Sequence, residues 1–121
     1  MSRGSLGARV VEAVAAQDTE ALKACFAPGV SLRALVPPGI RERSGAGEAA
    51  ALVSGWFADA RPLELVDSTA EVIGDRLHVS YRFSGIEDGE AFVVEQHWYC
   101  DVSEDRIERA DLLCSGFRPP S

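Results

Sequence analysis

The sequence predicts one α+β domain, in which helices cover one face of an antiparallel sheet. Three observations predict it. Apolar residues recur at helical spacing up to Phe57, and the period changes to two after Pro62. Turn signals at Gly74-Asp75, Glu87-Asp88-Gly89-Glu90 and Ser103-Glu104-Asp105 then divide the second half into four strands. With 121 residues and 46% hydrophobic side chains, the chain can bury a single core, and residues 1–121 are expected to form one domain.

Each element has its own signal. Leu6, Val10, Ala13 and Val14 lie on one side of a helix over residues 6–17. Asp18 and Thr19 offer a cap for a second helix that buries Leu22, Cys25 and Phe26 and ends at Pro28-Gly29. Residues 30–36 are apolar and strand-sized, and Pro37-Pro38-Gly39 stops them. Ile40-Arg41-Glu42-Arg43 reads as a polar connection, and Ser44 as the cap of a third helix that ends at Arg61-Pro62. Residues 63–73, 77–84, 91–102 and 106–117 are the four strands.

Short turns make those four strands a meander, and the turns set the register. Pairing Phe83 with Phe92 puts Tyr81 opposite Val94, Val79 opposite Gln96 and Leu77 opposite Trp98. A turn between Glu104 and Asp105 puts Trp98 opposite Asp111, Cys100 opposite Arg109 and Gln96 opposite Leu113. On this register Arg109, Asp111 and Leu113 share the helix-facing side with Tyr81, Gln96 and Trp98. Val93, Ala110, Leu112 and Cys114 share the outer side with Glu95, His97, Tyr99 and Asp101.

Composition excludes several classes of function. The formal charge is −7, from 19 acidic and 12 basic residues, and the basic residues are scattered beside acids, as in Arg106-Ile107-Glu108-Arg109. A nucleic-acid or anionic-membrane partner needs a basic stripe that this chain lacks. Cys25, Cys100 and Cys114 form no CxxC unit and read as small buried hydrophobes of a reducing cytoplasm. No apolar signal core opens the chain and no run approaches a membrane span. Gly45-Ala46-Gly47 lacks the Lys of a phosphate loop and reads as a tight entry into a helix.

Three stretches carry a resemblance. Ala24-Cys25-Phe26-Ala27-Pro28-Gly29-Val30 closes the paired first helices, Arg43-Ser44-Gly45 leads into an Ala-rich helix, and Val102-Ser103-Glu104-Asp105-Arg106-Ile107-Glu108 forms the last turn. In order and spacing, over about residues 6–118, the chain resembles the nuclear transport factor 2-like superfamily, in particular its SnoaL-like branch. The resemblance implies a strongly curved sheet wrapped around the N-terminal helices, a cone with an internal pocket. It also implies a range of activities, from ketosteroid isomerase, scytalone dehydratase, limonene epoxide hydrolase and polyketide cyclases to non-catalytic binding and dimerising domains. Fold alone does not choose among them.

Within that frame Asp111 and Arg109 are the candidate catalytic pair. A carboxylate opposite Trp98 would be desolvated and poised as an acid or base, and Arg109 would orient it or hold a developing anion. Asp111 also falls where SnoaL-like cyclases are expected to carry an acid. Trp56, Tyr81, Gln96 and Trp98 are candidate pocket walls, and an inward Gln96 needs a partner. The ketosteroid isomerase base would fall among Ala34, Leu35 and Val36, and the histidine pair of scytalone dehydratase has no inward counterpart, since His78 and His97 face outward. Glu95 and His97 are too few for a zinc set, so no metal is expected.

Two readings of function stay open. The first is a cofactor-independent cyclase, isomerase, lyase or hydrolase acting on an apolar oxygenated metabolite. The second is a non-catalytic binder of a hydrophobic small molecule, or a dimerising module. A homodimer is expected through the outer sheet face, with Tyr99 and Leu112 in the interface.

Overall fold

The computed structural model describes residues 3–120; Met1 and Ser2, part of the stretch read for a leader, lie outside the described residues. The elements follow in the order α1 (Arg3–Ala15), α2 (Thr19–Ala24), β1 (Phe26–Val36), β2 (Gly39–Ser44), α3 (Ala46–Phe57), β3 (Ala60–Ile73), β4 (Arg76–Glu87), β5 (Glu90–Ser103) and β6 (Arg106–Cys114). They form an α+β fold with one curved, open six-stranded sheet in the order β2-β1-β6-β5-β4-β3. Every pairing is antiparallel except β1 with β6.

The helices form where the spacing predicts them. In α1, Leu6, Val10, Ala13 and Val14 are buried. Gly7 lets α1 approach the sheet, because a Cβ there would meet the Ala70 Cβ at 2.6 Å. Asp18 caps α2 by accepting from the Ala21 N–H at 3.0 Å. The Gln17 amide ties the end of α1 to the end of α3, donating to the carbonyls of Phe57 (2.7 Å) and Ala60 (3.1 Å). The cap of α3 is Gly45 and not Ser44, and it makes no side-chain hydrogen bond.

Several boundaries differ from the sequence reading: α3 ends at Phe57, short of Arg61-Pro62, β3 already opens at Ala60, and β6 stops at Cys114 rather than 117. Phe26 opens β1 instead of ending α2, because its ring stacks on Trp98 (centroids 6.0 Å apart) and the Cys25 carbonyl accepts from the Ile107 N–H. Residues 40–43 are not a connection but most of β2, paired with β1 across a two-residue Pro37-Pro38 turn. β2 is an edge strand, open to solvent on most of its length, so it has no apolar period to betray it, and its charges suit an edge.

The core lies between the helices and the inner face of the sheet. Leu77, Val79, Tyr81 and Phe83 of β4 point inward as their alternation predicts, and all four are buried. The β4–β5 register is offset by two residues from the expected one: Phe83 pairs with Val94, Tyr81 with Gln96, Val79 with Trp98 and Leu77 with Cys100. The turn pivots between Asp88 and Gly89, one residue later than a Phe83–Phe92 pairing requires. An even offset leaves every side chain on its expected face.

The β5–β6 register is offset by one, and there the faces change. The turn is where the sequence puts it, with Ser103 opposite Arg106 and Val102 opposite Ile107. Beyond it Asp101 pairs with Arg109 and not Glu108, so β6 carries a one-residue bulge. Trp98 therefore faces Leu112, and Ile107, Ala110, Leu112 and Cys114 are the buried residues of β6. Arg109, Asp111 and Leu113 lie on the outer face.

Candidate functional site

A cleft of about 430 Å3 opens at one end of the helix–sheet sandwich, lined by Val36, Pro37, Arg41, Trp56, Cys114, Phe117 and Arg118 together with Ser115 and Gly116. Three parts of the chain meet there. The β1–β2 turn supplies Pro37 and sets Arg41 opposite Ala34, an inward position. The last turn of α3 supplies Trp56. After β6 the chain stays attached to β5 through Ser115 N to Glu95 O (2.9 Å) and the reciprocal Val93–Arg118 backbone pair (2.8 and 2.9 Å). That attachment seats the Phe117 ring 5.6 Å from Phe57 and 5.0 Å from Phe92. Gly116, with φ near 85°, makes the bend.

Behind the cleft lies a closed chain of buried polar groups. The Trp98 Nε1–H donates to the Tyr81 hydroxyl at 2.9 Å, and that hydroxyl donates to Gln96 Oε1. The Gln96 Nε2 donates to Cys114 Sγ at 3.3 Å, as does the Gly116 N–H at the same distance. Tyr81, Gln96 and Trp98 are at most 1% exposed. Burial pushes the Tyr81 phenol up and the Cys100 thiol up to about 12, so both stay neutral. These buried groups satisfy one another, and the network reaches the cleft at Cys114 and Gly116.

Of the expected pocket residues, Tyr81, Gln96 and Trp98 are together in the core and Trp56 lies on the cleft wall. Asp111 and Arg109 are in neither place. Their side chains are 38% and 57% exposed on the outer face, 3.8 Å apart, and Asp111 is also bridged by Arg76 at 3.3 Å. The bulge at Glu108 is the reason: one extra residue rotates the rest of β6 to the opposite face. Leu112 is corrected by the same step, being 3% exposed inside, while Leu113 is 52% exposed outside.

The outer face carries its own hydrogen-bonded chain. His78 Nδ1 lies 3.1 Å from Glu71, His78 Nε2 3.0 Å from His97 Nδ1, and His97 Nε2 2.9 Å from Glu95. Arg82 closes the end on Glu95 at 2.8 Å. Cross-strand pairing dictates this row, since Glu71 is opposite His78, and the His97 and Glu95 positions follow on the next strand. The bond from His97, helped by Arg82, holds the Glu95 carboxyl below its ordinary range. Three links between two imidazoles and two carboxylates take three N–H hydrogens, one more than two neutral rings carry. All three are hydrogen bonds at once only when the pair shares one extra proton. Among the described residues no three His, Cys, Asp or Glu side chains gather as a metal site.

Next to this row, across β2, β1, β6 and β5, lie the exposed apolar side chains Ile40, Leu35, Leu113 and Tyr99, in line with the pairing of Ile40 to Leu35 and Leu35 to Leu113. The sequence reading missed this patch because two of its members sit on the unrecognised hairpin arm and the flipped strand.

The chain belongs to the SnoaL-like domain family, whose sequence model matches residues 8–110. Solved structures similar to it share the fold at low identity. A candidate polyketide cyclase from Xanthomonas campestris is 20% identical, with a TM-score of 0.73, over 92% of this chain and 89% of that one. A second, from Pseudomonas putida, is 18% identical, with a TM-score of 0.74, over 93% and 90%. An epoxide hydrolase from M. tuberculosis is 12% identical, with a TM-score of 0.69, over 92% and 80%. No curated protein matches the chain. No helix among the described residues is long and apolar enough to cross a membrane.

Proposed function

We propose that the protein is a small-molecule-binding domain that holds an apolar, oxygenated molecule in the Trp56 cleft. The observation that carries this reading is the cleft itself: apolar walls from Val36, Pro37, Trp56 and Phe117, and a floor thiol, Cys114, fixed from behind by Gln96. Its size falls within the ordinary range of ligand pockets. The names of the similar structures, polyketide cyclases and an epoxide hydrolase, support the same class of ligand. Capture is favoured over turnover because no carboxylate or imidazole lines the cleft, and the candidate acid Asp111 is engaged with Arg76 and Arg109 outside. The buried free thiols Cys25, Cys100 and Cys114 support a cytoplasmic setting.

The test is a calorimetric titration with 2-naphthalenemethanol, a neutral apolar alcohol of suitable size. Trp56→Ala is expected to weaken binding about tenfold, the effect of removing an aromatic wall. An unchanged Kd in that variant would place the ligand elsewhere.

A second reading rests on the outer patch: the protein is a homodimer through that face, with Tyr99 in the interface and Leu113, not Leu112, beside it. A contiguous exposed apolar patch rimmed by charge is what such an interface looks like when unpartnered. Leu113→Asp is expected to elute as a monomer where the parent elutes as a dimer. If sedimentation shows the parent monomeric at micromolar concentration, the reading fails.

A further inference from the structure

We infer that the Trp56 cleft selects an anion: its ligand is an apolar molecule bearing a carboxylate, held between Arg41 and Arg118. This rests on the proposed role of the cleft and adds the charge of its occupant.

The first support is the company these two arginines keep. Arg9, Arg33, Arg76, Arg82 and Arg109 each lie within 4.0 Å of a carboxylate, at 2.8 to 3.8 Å. Arg41, Arg43, Arg61, Arg106 and Arg118 have no such partner among the described residues, and of these Arg41 and Arg118 line the same apolar cleft. Among the described residues the Arg41 guanidinium makes one hydrogen bond, to its neighbour's carbonyl, Ile40 O, at 3.5 Å. By contrast, Arg106 sits in a groove that also holds Glu20 and Glu48.

Charge makes the pair informative. The chain carries −7 overall, yet the cleft lining holds two positive side chains and no negative one. Two cations line a pocket in an acidic protein, and among the described residues neither has a carboxylate within ion-pair distance, although Arg118 also borders a groove that holds Glu95. A bound anion would neutralise them, and a guanidinium fork suits a carboxylate, which it grips with two parallel hydrogen bonds.

The remaining lining narrows the choice. Ser115 is the one hydroxyl there, and it is committed, donating to Gly116 O at 2.8 Å and accepting from the Glu95 N–H at 2.9 Å. The Gly116 N–H is spent on Cys114. Recognition of a charged head therefore falls to the two guanidinium groups, with the Trp56 indole N–H as a further neutral donor, while Phe117, Pro37, Val36 and the Trp56 ring take the apolar body. The ligand this describes is an acid with a ring-sized or branched hydrocarbon portion.

The experiment compares 2-naphthoate with 2-naphthalenemethanol, which share a body and differ in charge, by calorimetric titration of the whole protein at low salt and pH 7.5. The acid is expected to bind about tenfold more tightly, the scale of one charge-assisted hydrogen bond. Arg41→Gln and Arg118→Gln should each remove most of that preference and leave the alcohol unaffected. Arg41→Lys, which keeps the charge and loses the fork, should fall between. Trp56→Ala should weaken both ligands by the same factor. Arg41 and Arg118 are exposed, so their substitution leaves the fold intact, as circular dichroism would verify. Equal affinities, or a preference that survives both glutamine variants, would overturn the carboxylate inference and leave the cleft reading standing. Failure of both compounds to bind folded protein would overturn the two together.

Discussion

Trp98→Ala is expected to cost the fold about 3–5 kcal/mol. Trp98 is fully buried, stacks its indole on Phe26 and donates its N–H to Tyr81. Truncation leaves a cavity between α-helices and sheet that the packed neighbours cannot fill, and it removes a donor from the Tyr81–Gln96–Cys114 chain. Domains of this size have roughly 5–15 kcal/mol in hand, so the variant would stand at the edge of folding. Trp98→Phe keeps most of the volume and loses one hydrogen bond, and should cost about 1–2 kcal/mol. Urea denaturation of the three proteins measures both values. A loss under about 1 kcal/mol for the alanine variant would contradict the buried stack.

The second large effect separates two adjacent leucines. Leu112→Asp puts a carboxylate opposite Trp98 in a buried, apolar position, and is expected to destabilise by about 3–5 kcal/mol or to prevent folding. Leu113→Asp lies on the opposite face and should change melting by no more than a few degrees, acting on association instead. Thermal unfolding of the pair reads the register of β6 directly. If Leu113→Asp were the one to unfold and Leu112→Asp the one tolerated, the bulge would be misplaced.

Much of the fold was legible because its patterns are local. Leu6, Val10, Ala13 and Val14 need only the 3.6-residue period to be placed on one side of α1, and Leu77 to Phe83 need only alternation. What escaped were features set by pairing. Ile40-Arg41-Glu42-Arg43 forms a strand because β1 offers it an edge, not because its side chains demand one. The bulge did leave a trace: after Ile107 the charged Glu108 and Arg109 stand side by side, and only then does the apolar alternation of Ala110, Leu112 and Cys114 resume. Reading straight through that break sent Arg109 and Asp111 into the core, where two charges would each have needed a partner.

The candidate site was harder still. Trp56, Tyr81, Gln96 and Trp98 were visible as large or polar side chains on inward positions. The cleft, however, is assembled from Pro37, Trp56 and Phe117, which are far apart in sequence and share no period. Phe117 and Arg118 reach it only because the chain beyond β6 turns at Gly116 and stays bonded to Val93. No pattern within residues 114–118 announces that bend except the glycine itself.

The place of β6 in the sheet has a consequence for how the molecule is made. It lies between β1 and β5, yet it is the last strand along the chain. Until residues 106–114 leave the ribosome, the N-terminal hairpin and the three-stranded meander are separate pieces with raw edges facing each other. The keystone arrives after both of its neighbours, so the sheet closes only once residues 106–114 are made, through contacts about eighty residues apart, the kind of long-range pairing that folds slowly.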